Sequence, residues 1–160
     1  MLIFVYIFFI TLNFVSYFVP KRLYKIELYS TTLFALLFGI IADLILDLHY
    51  KLYGYFDGGF QWKGLLGEFL YFIPISILFL NYYPLYKPHK NQLFYILSWS
   101  VISTLLEWLI LKTDFFYENG WKLWYSVIAY PIIFLILVIN LKFVKKLIKQ
   151  ASCWALPRNH

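Results

Sequence analysis

The sequence predicts an all-α integral membrane bundle of five transmembrane helices, and three observations point there. Apolar residues make up 62% of the 160 residues, against about 45–50% in soluble globular domains. Charged residues fall to 14%, where about 25% is usual. Five apolar runs each approach the roughly 20 residues that a helix needs to cross the ~30 Å hydrocarbon layer. Aromatic residues at 24%, dispersed charges and a single cysteine, Cys153, exclude a disordered chain, a nucleic-acid-binding arm and a disulfide scaffold. Runs such as LIFVYIFFI and PIIFLILVI lack the alternation of barrel strands, so the spans are helices.

The first span covers residues 2–19 and is closed by Pro20-Lys21-Arg22. No positive residue precedes it and no small-residue cleavage site follows, so it reads as a retained span and not as a secretory signal. Spans follow at 29–48, 64–83, 92–111 and 122–141, with Pro74 and Pro131 expected to kink the third and fifth. Residues 142–150 then place Phe143, Val144, Leu147 and Ile148 on one helical face and Lys142, Lys145, Lys146 and Lys149 on the other. That pattern predicts a short amphipathic helix along the lipid surface, held by its four lysines. Residues 1–150 thus form one transmembrane domain, and 151–160 a short cytoplasmic tail carrying Cys153 as an ordinary reduced thiol.

Ten of the fourteen Lys and Arg residues fall in the connections after spans 1 and 3 and in the stretch after span 5. The positive-inside rule therefore predicts N-out/C-in, and the net charge of +6 is an orientation and anionic-lipid signal. Interfacial aromatics agree, with Tyr50, Tyr53, Trp62 and Trp121 outside and Tyr17, Tyr24, Tyr82, Tyr83 and Tyr86 inside.

The informative residues are the acids. Asp43, Asp47, Glu68 and Glu107 fall inside spans, where each carboxylate costs about 2.5–3.5 kcal/mol on insertion scales. All four lie within ~8 Å of the outer boundary at a rise of about 1.5 Å per residue, so they make one layer and not a wire across the membrane. On span 2, Ala35, Gly39, Asp43 and Asp47 recur every four residues and share a stripe. Gly64, Gly67, Glu68 and Tyr71 share a face of span 3, and Ser100, Ser103, Thr104 and Glu107 a face of span 4. Small residues on these faces allow close helix approach. The carboxylates are thus expected to converge between spans 2, 3 and 4.

Two readings of that layer follow. In one it is structural, the carboxylates reaching water or accepting hydroxyl hydrogen bonds, and the bundle acts by associating with itself or with another membrane protein. In the other it is an outward-facing site for a cation or a proton, with His49 as an added ligand. Catalysis lacks a motif: His-Glu-x-x-His, Gly-x-Ser-x-Gly, a phosphate loop and Cys-x-x-Cys are all missing, and Asp43 and Asp47 share one helix where a proteolytic dyad needs two elements. No cofactor is expected, and the partners are the lipid bilayer and other membrane helices, without nucleic acid.

The loops at 55–63 and 116–122 repeat an order of aromatic, aromatic, acid, Gly or Asn, Gly, Trp, Lys, as a duplicated helical hairpin or two independent interfacial turns would. The run from Glu27 to Ala35, Asp43 to Asp47 followed by Tyr53-Gly54-Tyr55-Phe56, the exit Asn81-Tyr82-Tyr83-Pro84, Glu107, and Trp121 with Tyr125-Ser126 carry a resemblance. Over residues 20–130 the chain resembles an uncharacterised family of small multi-pass membrane proteins from spore-forming Bacilli and Clostridia. The resemblance implies a bacterial cytoplasmic-membrane protein in a sporulating organism and transfers no activity.

Overall fold

The computed structural model describes residues 2–55, 62–113 and 116–155. It is all-α, with five helices: α1 Leu2–Phe18, α2 Lys25–Asp43, α3 Trp62–Tyr82, α4 His89–Ile110 and α5 Leu123–Ala155. A π-helical turn, Leu44–His49, extends α2, and two three-residue strands, β1 Tyr53–Tyr55 and β2 Phe116–Glu118, pair antiparallel with Tyr53 opposite Glu118. This ribbon ties the α2–α3 connection to the α4–α5 connection. Asp57 and the centre of the first repeated loop lie outside the described residues, as does Asp114.

Four segments are long and apolar enough to cross a membrane: Lys25–Asp47, Trp62–Tyr82, His89–Ile110 and Leu123–Ala151. The 17-residue α1 is apolar but shorter. Large apolar side chains face outward on every helix, among them Phe4, Leu37, Leu66, Val101 and Ile139, as hydrocarbon surroundings allow and water does not.

Polar side chains hold the helix ends. Pro20 follows α1, and Lys21 Nζ donates to the carbonyls of Ser16, Tyr17 and Val19, left without helical donors. Asn81, buried at the end of α3, accepts from the Arg22 N–H at 2.6 Å and donates to Pro20 O at 2.9 Å, so α3 grips the α1–α2 connection. Gln92 grips the α3–α4 connection in the same way, accepting from Tyr83 OH at 2.8 Å and donating to Leu85 O and Lys87 O. Burial raises the Tyr83 phenol above its ordinary value, which keeps it a donor.

α3 packs against α1 and α2, and α5 against α2, α4 and, less extensively, α3. Phe79, fully buried, centres the core with Phe134 at 4.4 Å, Tyr95 at 5.5 Å and Trp99 at 5.9 Å between ring centroids. Tyr95 OH donates to Phe79 O at 2.9 Å and fastens α4 to α3. Towards the ribbon, Val5 and Phe9 of α1 pack on Leu70, Tyr71 and Ile110.

Two expectations need correction. Residues 142–150 are no separate interfacial helix, because α5 runs unbroken from Leu123 to Ala155. Hydropathy changes at Lys142, but no Gly or Pro interrupts the backbone there, so the helix continues. Lys145 is also no simple lipid-surface lysine. Its Nζ lies 2.8 Å from Glu27 Oε1, whose side chain is 4% exposed, while Glu27 Oε2 accepts the Tyr24 N–H at the start of α2. Lys142, Lys146 and Lys149 are exposed.

Candidate functional site

Asp43 is the last residue of α2, and the wider turn that follows decides its surroundings. Tyr50 N–H bonds to Ile45 O, five residues back, and Lys51 turns the chain with φ 52°. The turn brings Tyr53 back over α2, where its hydroxyl donates to Asp43 Oδ1 at 2.5 Å. Tyr53 is 6% exposed. Burial, then the Asp43 charge and the hydrogen bond to it, push the phenol far above its ordinary value, so it remains a donor.

Glu107 sits near the end of α4 and takes its partners from α5. Ser126 Oγ donates to Oε1 at 2.6 Å and Tyr130 OH to Oε2 at 2.7 Å. The Trp121 indole N–H donates in turn to Ser126 Oγ at 2.9 Å, and its ring meets Tyr53 edge-on at 5.7 Å. Asp43 and Glu107, on different helices, are thus joined through the Tyr53–Trp121 contact.

Glu68 of α3 completes the set. Asp43, Glu68 and Glu107 all line one cavity of about 220 Å³ between α2, α3, α4 and α5. Tyr53, Trp121, Ser126 and Tyr130 line it beside the carboxylates, and Ile75, Phe134 and Leu137 line it farther along α3 and α5. Among the described residues, no Lys, Arg or His lines it. Ser103 also lines it, 1% exposed, with its hydroxyl beside Tyr71.

The expected site residues separate. Asp47 and His49 do not line the cavity. The expected stripe assumed 3.6 residues per turn, and the π-helical turn spreads more residues over each turn, carrying Asp47 off the Asp43 line. Asp47 stays close enough to act electrostatically on Glu68. His49 is exposed, with its ring edge-on to Tyr50 at 4.8 Å. Convergence between spans 2, 3 and 4 alone is also incomplete, because α5 supplies both hydroxyl partners of Glu107. Ser126 and Tyr130 recur at i, i+4 in an apolar span, and that spacing was the available signal.

Of the small residues, Gly39 stands at a helix contact. A Cβ on Gly39 would lie 2.7 Å from the Phe72 ring, and Ala35, Gly64 and Gly67 are buried. Ser100 is buried, but its hydroxyl and that of Thr104 bond to carbonyls of their own helix, Ile96 O and Ser100 O. Among the described residues no group of three or more acidic, His or Cys side chains is placed to hold a metal ion.

No protein-family model matches this sequence, and no curated protein or solved structure shows significant similarity to it.

Proposed function

We propose that this multi-pass membrane protein is a non-enzymatic component of the bacterial cytoplasmic membrane, N-out and C-in with α1 as a fifth span, that binds a positively charged species in its carboxylate-lined cavity. One observation carries the reading: carboxylates from three helices meet one cavity that no basic side chain lines among the described residues. Carboxylates on the wall of a cavity inside the bundle favour positive charge that reaches them. The alternative, a bundle acting only through helix association, accounts for Gly39 and Ala35, which serve packing inside the bundle. It gives no role to the grouping of Asp43, Glu68 and Glu107.

The test is the melting temperature of the detergent-purified protein at pH 5 and pH 8, with Na⁺, K⁺, Mg²⁺ or a small organic cation added singly. A species at 100 times its dissociation constant adds about 2.7 kcal/mol to stability. A rise that vanishes in Asp43→Asn/Glu107→Gln supports the reading. A melting temperature indifferent to pH and to every cation overturns it in favour of association.

A further inference from the structure

Independently of the cavity, we propose that two copies of this chain pair in parallel along α5, on a seam formed by Ile136, Asn140, Phe143, Leu147 and Gln150, with the two Asn140 amides hydrogen-bonded to each other.

The five positions step by four, three, four and three residues, the 3.5-residue repeat that keeps one line of side chains against a partner helix. The bundle leaves that line open. Phe143 and Leu147 are 57% and 47% exposed, Gln150 is exposed, and Ile136 and Asn140 are half-buried. The opposite face of the same helix is the one that packs inward, with Phe134, Val138 and Leu141 buried and Lys145 paired with Glu27.

α5 has 33 residues, about 50 Å at 1.5 Å per residue, against a hydrocarbon layer of about 30 Å, so about thirteen residues extend beyond it. The lysines from Lys142 onward mark that end. Because the helix runs on without a break, Phe143 and Leu147 leave the lipid with it and carry apolar surface into water. Lipid covers Ile136 but not these two. A seam that keeps its spacing from lipid into water is covered along its whole length by a helix that makes the same passage, and α5 of a second copy does so.

Asn140 favours a second copy over an unrelated helix. Its Oδ1 is shut away without a hydrogen-bond donor among the described residues, so no bond holds the amide where it stands and rotation about the side-chain torsions brings it to the seam. An amide is self-complementary, Nδ2 of one copy donating to Oδ1 of the other, and a polar residue at one seam position fixes register. Two copies inserted in the same direction are parallel, which sets Asn140 opposite its own counterpart. The lysines permit the approach. Lys142, Lys145 and Lys149 lie on the far side of the helix, and Lys146 flanks the seam where a parallel pair sets it beside Val144 of the partner subunit, so like charges do not meet.

The experiment is single-cysteine cross-linking of the full chain in proteoliposomes, in a Cys153→Ser background, with the paired fraction measured by energy transfer as the chain is diluted in lipid. Asn140→Cys, Phe143→Cys and Leu147→Cys are expected to form disulfide-linked dimers at least about tenfold faster than Lys142→Cys and Lys149→Cys, whose Cα atoms the seam holds too far apart. Asn140→Ala is expected to weaken pairing about three- to tenfold, the effect of one interhelical hydrogen bond. Phe143→Lys/Leu147→Lys, beyond the hydrocarbon and outside the core, is expected to abolish pairing with the melting temperature of the dilute single chain unchanged. A chain that stays single at every lipid dilution overturns the inference, as does equal cross-linking on and off the seam. Pairing that survives Phe143→Lys/Leu147→Lys, or that Asn140→Ala leaves untouched, overturns it as well, because the copies then meet through another face.

Discussion

Asn13 on α1 restores a hydrogen bond that Pro74 removes from α3. Proline has no N–H, so the carbonyl four residues back, Leu70 O, loses its helical donor. Asn13 Nδ2 reaches that carbonyl at 2.8 Å, while also donating to Phe9 O at 2.8 Å within its own helix. The docking of α1 on α3 is therefore specified at one point by a backbone acceptor that apolar packing alone would leave unsatisfied in hydrocarbon.

Asn13→Ala is expected to destabilise the bundle by about 0.6–1.7 kcal/mol, the range of interhelical hydrogen bonds in membranes. In a Pro74→Ala background the restored Ala N–H serves Leu70 O, and the same Asn13→Ala change should cost less. SDS-titrated unfolding of the four variants measures the coupling, and strictly additive costs would contradict it.

The pair Glu27–Lys145 is asymmetric, its side chains being 4% and 24% exposed. Lys145→Met leaves a buried carboxylate with only the Tyr24 N–H, and is expected to cost about 3 kcal/mol, the lower end for breaking a buried pair. Glu27→Gln leaves an ammonium group that reaches water, and is expected to cost about 1–2 kcal/mol. Equal costs by SDS titration would mean that both partners are solvated.

Gly39 lets α2 approach Phe72 of α3. Gly39→Val places carbon where the ring stands and is expected to cost about 1–3 kcal/mol, as overpacking does. Phe72→Leu in the same chain should return part of that loss. A Gly39→Val protein as stable as the parent would show that the ring moves freely.

Tyr53 gives a signature in alkali. Its pKa is raised in the folded state, so the folded protein keeps a proton that the unfolded chain releases near pH 10. The resulting stability is complete below pH 10 and is lost as pH rises above it, at about 1.4 kcal/mol per pH unit for one proton. Tyr53→Phe removes this contribution, and the difference in slope between the two proteins should grow from near zero at about pH 9 towards one proton by about pH 11. Parallel slopes would place Tyr53 in water.

The spans are legible in the sequence because twenty apolar residues have one physical solution in a bilayer, and α1 to α4 start and stop within a few residues of where hydropathy changes. The faces are legible too, since i, i+4 spacing puts Gly39 and Asp43 towards α3 and Ser103 beside Glu107 on the cavity wall. Adjacency is not. Periodicity says which way Glu107 points but not that Ser126 and Tyr130 of α5 meet it. The π-helical turn escapes for a related reason, because LILDLH carries no residue that marks a five-residue hydrogen-bond step. The same holds for Asn13, whose partner is a carbonyl exposed by a proline more than sixty residues later.

The ribbon pairs residues more than sixty positions apart, and its second strand precedes only α5. Closing so long a loop is entropically costly until the helices between are in place. During synthesis α1, α2, α3 and α4 leave the ribosome ahead of Trp121, Ser126 and Tyr130, so Glu107 emerges before the hydroxyls that it meets. The hydroxyl-lined end of the cavity is therefore incomplete until α5 arrives, and a chain stalled before α5 carries Glu107 without its Ser126 and Tyr130 donors.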